Sequence, residues 1–150
     1  MRWTAPRRSE RPDVVIVRSA VDEIVRHAQA ESPHECCGLL LGDAARIDTA
    51  TRARNDSPDP TRYRVNPEDH FGAIHAARAT GRRVVGVYHS HPHSSASPSF
   101  TDLAEASYPE YLYLIVSPSS LGEDPVDTGA LRAYWLRDGR AIVEALRVEA

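Results

Sequence analysis

His89-Ser90-His91 closes the apolar run Val84 to Tyr88, which reads as a β-strand. Strand side chains alternate between faces, so the two imidazoles project from one side, in line with Val85 and Val87, where they can share one metal ion. A His-x-His pair alone is a weak sign, since many are surface or hydrogen-bonded core residues. The following segment adds to it: Pro92, a Ser-rich loop and Pro98 lead into Ser99-Phe100-Thr101-Asp102, which returns a hydroxyl and a carboxylate at a helix start. His89, His91 and Asp102 would leave the fourth tetrahedral position of zinc open to water, as in catalytic rather than structural sites. Ser99 and Asp102 also read as a plain N-cap and its N3 acid, and Ser19 and Asp22 repeat that spacing with no histidine beside them. His93 could offer a third imidazole, but Pro92 breaks the strand before it, and Asp102 ranks above it.

Glu35 stands in Pro33-His34-Glu35-Cys36-Cys37-Gly38, at the entrance to a strand expected to be buried. Hydrolysis by zinc and water needs a base that takes the water proton and later delivers it to the leaving amine, and Glu35 is the candidate. A rim salt bridge is its bland alternative. Adjacent cysteines rarely pair with each other because the ring is strained, so Cys36 and Cys37 read as small buried hydrophobes. His27, His34, His70 and His75 read as helix-end, loop or packed residues.

The elements that must position these groups follow from local pattern. Asp13 to Val17 is a strand and Ser19 the cap of a helix carrying Val21, Ile24, Val25 and Ala28. Cys36 to Leu41 and Arg46 to Arg54 read as two strands, followed by a polar loop, Asn55 to Arg62. Asn66 with Pro67, Glu68 and Asp69 starts a second helix that Gly81 ends. Val84 to His91 is the next strand, Ser99 to about Ser107 a short helix, and Tyr111 to Val116 a central strand apolar at every position. Ala130 to Leu136 and Ala141 to Val148 flank Asp138-Gly139 as a hairpin. The sum is an α/β (α+β) domain with a mixed β-sheet flanked by helices, over residues 13–150.

The chain has 150 residues, 41% of them hydrophobic and 26% charged, which excludes disordered, collagen-like and disulfide-dense classes. No stretch is apolar enough for a membrane span, and residues 1–12 lack the apolar core of a secretory signal, so a cytoplasmic protein is expected. All the cations are arginine. Residues 1–12 carry a net +3 against −3 for the whole chain, leaving −6 elsewhere. That segment reads as a basic, poorly ordered arm, and the acidic remainder disfavours nucleic acid.

His89-x-His91, seven residues, Ser99, two residues and Asp102 resemble the His-x-His-x7-Ser-x2-Asp signature of the JAMM (MPN+) metalloprotease family without a gap. Glu35 stands where that family carries its catalytic glutamate. Glu35-Cys36-Cys37-Gly38-Leu39-Leu40-Leu41-Gly42 and Tyr63-Arg64-Val65-Asn66-Pro67 look like its small prokaryotic branch. The resemblance implies a cytidine-deaminase-like fold, one zinc on His89, His91 and Asp102, proton transfer by Glu35 and an oxyanion contact from Ser99. The implied substrate is an amide bond after the Gly-Gly tail of a ubiquitin-like or sulfur-carrier protein, in one form releasing cysteine, with Asn55 to Arg62 and Ser94 to Pro98 flanking the tail. A homodimer is compatible with this. The alternatives are a non-catalytic ubiquitin-like-binding scaffold and a metallophosphoesterase, which would need further metal ligands.

Overall fold

Leu112–Val116 is buried at every position because both faces of the strand are covered. The computed structural model describes residues 13–43 and 45–150; the expected basic arm, residues 1–12, lies outside the described residues. In chain order the elements are β1 (Val14–Val17), α1 (Arg18–Glu31), β2 (Cys37–Gly42), β3 (Arg46–Ala53), α2 (Pro67–Ala79), β4 (Arg83–Ser90), α3 (Phe100–Glu105), β5 (Leu112–Val116), β6 (Leu131–Arg137), β7 (Arg140–Glu144) and β8 (Leu146–Glu149). Among the described residues, the eight strands form one mixed sheet in the order β7-β6-β5-β4-β2-β3-β1-β8.

β7 and β8 stand at opposite edges of that order, yet Ala145 alone joins them. One residue cannot bridge a flat sheet of strands spaced about 4.8 Å apart, so the sheet curls until its edges approach. Inside the curl lies α1, whose Ala20, Val21, Ile24 and Ala28 pack against residues from β1 through β6. On the outer face, Ala73 and Ala77 let α2 sit close to Cys37, Leu39 and Leu41 of β2 and to Val87, Tyr113 and Ile115. β2 therefore feeds both cores by alternation, which explains its complete burial. Gly38 is obligatory there, because a Cβ would collide with the Tyr88 ring and the Thr51 carbonyl.

Helix α2 starts as its sequence predicts: the Asn66 side chain accepts from Asp69 N at 3.1 Å, with Pro67 in the first turn. Asp138 and Gly139 both take positive φ, 49° and 70°, as the hairpin turn requires. Three local expectations are corrected. Ser19 is not a cap: β1 runs straight into α1 through Val17, which makes no side-chain cap bond. The stretch 141–148 is not one strand, because after Ala145 the chain leaves β6 and pairs in parallel with β1. Val85 does not share the face of Val87 and His89: the β2–β4 register shifts after Leu40, and Val85 turns to the α1 side.

Candidate metal centre and active site

The antiparallel register pairs Cys37 with His89 and Gly38 with Tyr88, so the start of β2 meets the end of β4. One step further, Ser90 N donates to Cys36 O at 3.1 Å and the Ser90 hydroxyl accepts from Cys36 N at 2.9 Å. This lock brings Glu35 opposite His91. His89 continues the Val87 face and is fully buried, while His91 N is tied to Val116 O of β5 at 2.8 Å. Asp102 arrives from α3, whose start is a reciprocal box: Asp102 N donates to the Ser99 hydroxyl at 3.0 Å and Ser99 N donates to Asp102 Oδ2 at 2.9 Å. The plain cap reading of Ser99 and Asp102 is therefore correct, and the same Oδ2 also faces both imidazoles.

The three side chains converge on a small triangle. His89 Nε2 lies 3.2 Å from His91 Nε2, and Asp102 Oδ2 lies 3.2 Å from the first and 3.0 Å from the second. Zinc bonds of about 2.0–2.2 Å in a tetrahedron would put neighbouring ligand atoms about 3.3–3.5 Å apart, close to these edges. Two imidazole nitrogens and a carboxylate oxygen this close together suit a shared cation. His91 Nδ1 donates to Ser95 O at 2.9 Å, so in the neutral ring its Nε2 carries the lone pair toward the triangle. The donor set fits a divalent metal.

Glu35 carries a second group of ligand-type atoms: its carboxylate lies within 4.8 Å of the two histidines. The tighter triangle belongs to Asp102, and the longer reach of Glu35 leaves room for a water. Glu35 Oε1 is buried with no hydrogen-bond partner, as is His89 Nδ1. Burial pushes the Glu35 carboxyl up to about 8, against a lowering pull from His91. Burial also opposes ionisation of Asp102, yet the imidazoles and Ser99 N hold it well below the usual carboxylate range. Burial lowers His89, whereas for His91 the bonds to Asp102 and Ser95 outweigh burial and raise it. A bound cation would draw Glu35 back toward ionisation.

His93 is exposed and outside the triangle, and His75 is exposed on α2. His27 is a buried core histidine, its Nδ1 2.8 Å from the Tyr88 hydroxyl, and His70 Nε2 lies 2.9 Å from the Tyr111 hydroxyl. Cys36 and Cys37 are free and buried, and burial raises their thiols to about 11 and about 12, so neither is a nucleophile. Among the described residues, the metal-capable cluster of Glu35, His89 and His91 has no second counterpart, which disfavours a two-metal phosphoesterase. Sequence reasoning missed Ser90, Tyr63 and Asn55. Alternation alone could have flagged Ser90, since the middle residue of His-x-His in a central strand must point into the other core and find a partner. Tyr63 stacks on the His89 ring with centroids 4.2 Å apart. The Asn55 amide donates to Glu35 O and Arg62 O at 3.1 and 2.9 Å.

Beside the triangle a cavity of about 530 Å³ opens between α2 and the segment before β5, lined in part by Tyr63, Val87, His70, Phe71, Tyr108 and Tyr111. The profile of the family described as prokaryotic homologs of the JAB domain matches residues 17–136. This chain belongs to that family. It is 40% identical to the desampylase of Haloferax volcanii over 110 residues, covering 69% of this chain and 79% of the relative. It is 31% identical over 138 residues to the CysO-cysteine peptidase of Mycobacterium tuberculosis, covering 90% and 91%. A JAB1/MPN domain protein from Archaeoglobus fulgidus shares the fold, with a TM-score of 0.59 at 24% identity over 91% of this chain and 100% of that one. The chain is thus a hydrolase on an α/β JAMM/MPN scaffold, and no described helix is long and apolar enough to cross a membrane.

Proposed function

We propose that this chain is a zinc-dependent peptidase that hydrolyses the amide bond after the C-terminal Gly-Gly of a ubiquitin-like or sulfur-carrier protein. The observation that carries the reading is the His89, His91 and Asp102 triangle with edges of 3.0–3.2 Å, beside a buried Glu35 carboxylate that has an unpartnered oxygen. The relatives named as a desampylase and as a CysO-cysteine peptidase support the substrate class. Zinc, held once per chain by these three side chains, would supply the positive charge that acidifies water and polarises a carbonyl.

The protein groups divide the remaining work. Glu35 takes the proton from the attacking water and returns it to the departing nitrogen, which leaves as a neutral amine while the acyl carbon keeps the water oxygen. The Ser99 hydroxyl already accepts from Asp102 N, and its own hydrogen is available to the oxyanion of the tetrahedral intermediate. The aromatic cavity takes the apolar residues upstream of the glycines, and only glycine lets a backbone pass close to a recessed metal. Two free, buried cysteines suit a reducing cytoplasm.

The test compares three conjugates by intact mass: a carrier ending in Gly-Gly-Cys, the same carrier with its final glycine changed to alanine, and a lysine isopeptide. Cleavage of the first, strong loss for the second and a slower rate for the third are expected. Equal rates on all three mean that the site does not read the tail. Metal analysis of His89→Ala, His91→Ala and Asp102→Ala should show zinc falling from one per chain toward zero, and unchanged zinc in all three removes the ligand assignment. Zinc retained with no hydrolysis of any conjugate points instead to a non-catalytic binding scaffold.

A further inference from the structure

The two histidines of the triangle are held in different ways. His91 follows the usual pattern for a metal-ligating imidazole, its far nitrogen donating to the Ser95 carbonyl at 2.9 Å. His89 does not: its Nε2 faces the triangle, while its Nδ1 is buried and without a partner, so no hydrogen bond from the far nitrogen fixes the rotation of its ring. Among the described residues, its ring contacts are the edge of His91, at 4.9 Å and 66°, and the face of Tyr63, at 4.2 Å and 17°. A stack this parallel and close restricts rotation of the ring about its χ2 bond.

Tyr63 can serve as a wall because its loop is fastened on both sides. The Asn55 amide donates to Glu35 O and Arg62 O, and its oxygen accepts from Ser57 N and Arg64 N at 3.0 and 2.9 Å. All four hydrogen-bonding positions of one side chain are thereby used, two of them on the residues flanking Tyr63. Glu35 N donates to Pro60 O at 3.0 Å, and Arg62 reaches Glu105 at the end of α3 at 3.6 Å.

We propose that Tyr63 is a positioning residue that holds the His89 imidazole in its metal-ligating orientation by ring stacking, in place of the hydrogen bond that orients His91. The proposal rests on the zinc reading above and concerns metal affinity and ring order rather than turnover. An aromatic face is what the role needs, and the hydroxyl is dispensable.

The experiment measures zinc affinity by chelator competition, together with the visible spectrum of the cobalt-loaded protein, for the parent, Tyr63→Phe and Tyr63→Leu. Phenylalanine should keep the parent affinity and spectrum. Leucine, apolar but smaller and without a planar face, should weaken affinity by ~10- to 100-fold, the scale for lost support of a ligating histidine, and broaden the spectrum. Leucine with parent affinity, or phenylalanine falling as far as leucine, overturns the proposal. A leucine variant that loses only thermal stability also overturns it, since that is a packing role. In the metal-free protein, the His89 ring protons should show a ring-current shift in the parent and in Tyr63→Phe but not in Tyr63→Leu. That arm decides whether the stack exists even if the parent takes no zinc, an outcome that would sink the zinc reading separately.

Discussion

Two loops reach the site, and they are anchored differently. The Ser-rich loop from Pro92 to Pro98 is pinned through consecutive carbonyls by side chains on β6 and just past the ends of β4 and β5: Ser117 donates to Ser94 O at 2.6 Å, His91 to Ser95 O at 2.9 Å and Tyr134 to Ala96 O at 2.7 Å. The loop from Asn55 to Arg62 is held largely by itself, through Asn55, Ser57 and Asp59, and it touches the catalytic edge at the backbone of Glu35. The first loop serves the metal ligands and the second serves Glu35 and Tyr63. What separates the two loops is where their backbone groups find partners. The contrast implies that damage to the first acts through His91 and the metal, and damage to the second through Glu35 and, by way of Tyr63, through His89.

The sharpest way to break this division is Glu35→Gln. Hydrolysis should fall by roughly 10²- to 10⁴-fold with zinc content unchanged, because a proton acceptor is removed while its shape stays; near-parent turnover would make Glu35 structural. The same variant has a pH signature without metal. The folded-state carboxyl is raised to about 8 by burial, above its ordinary 4.5, so the folded state binds that proton more tightly than the unfolded one. The group's stability contribution is full below 4.5 and is lost as pH rises through 8. Metal-free parent should therefore lose stability relative to Glu35→Gln across that window in denaturant titrations, and parallel curves would contradict the burial of the charge.

Ser99→Ala comes next, at roughly 10²- to 10³-fold in rate for one oxyanion donor, with about 1 kcal/mol of stability lost from the helix cap. A stability loss with an unchanged rate would reduce Ser99 to its capping role. Asn55→Ala should slow turnover by about 10-fold and cost about 1–3 kcal/mol, since it frees the second loop, and it should also weaken zinc affinity by loosening Tyr63 from His89. Zinc affinity at the parent value would show that this loop is not what holds Tyr63 against His89. The smallest effect belongs to Tyr134→Phe, which removes one of three ties on the first loop and should cost about 1 kcal/mol in unfolding midpoint without changing kcat.

Much of the site is legible in local spacing. Strand alternation puts the His-x-His pair on one face and the cap rule puts Ser99 and Asp102 at a helix start, but each pattern is weak alone, as Ser19 and Asp22 show, and only their combination points to a site. Glu35 has no such pattern; a carboxylate before an apolar strand is a candidate base, but sequence alone favours a rim salt bridge, and the family resemblance is what tips the reading to the base. Asn55 and Tyr63 were invisible because their partners lie far along the chain, Asn55 on Glu35 and Tyr63 on His89, in a polar loop without periodicity. The stretch 141–148 was misread for a related reason. Nothing near Ala145 breaks the strand pattern, and the pull toward β1 comes from the opposite edge of the sheet.

That edge-to-edge closure has a kinetic consequence. The pairing of β1 with β8 joins Val14–Val17 to Leu146–Glu149, contacts that span almost the whole described chain. Such a pairing carries the largest loop-closure entropy in the molecule and forms late. β2, β3 and β4, by contrast, can assemble from nearby segments, so the strands that bear Glu35, His89 and His91 are able to align on a nascent chain before residues 146–149 have been synthesised. The drawing together of the barrel-like curl around α1 is then the final folding event, and the ligand-bearing strands are already in register when it happens.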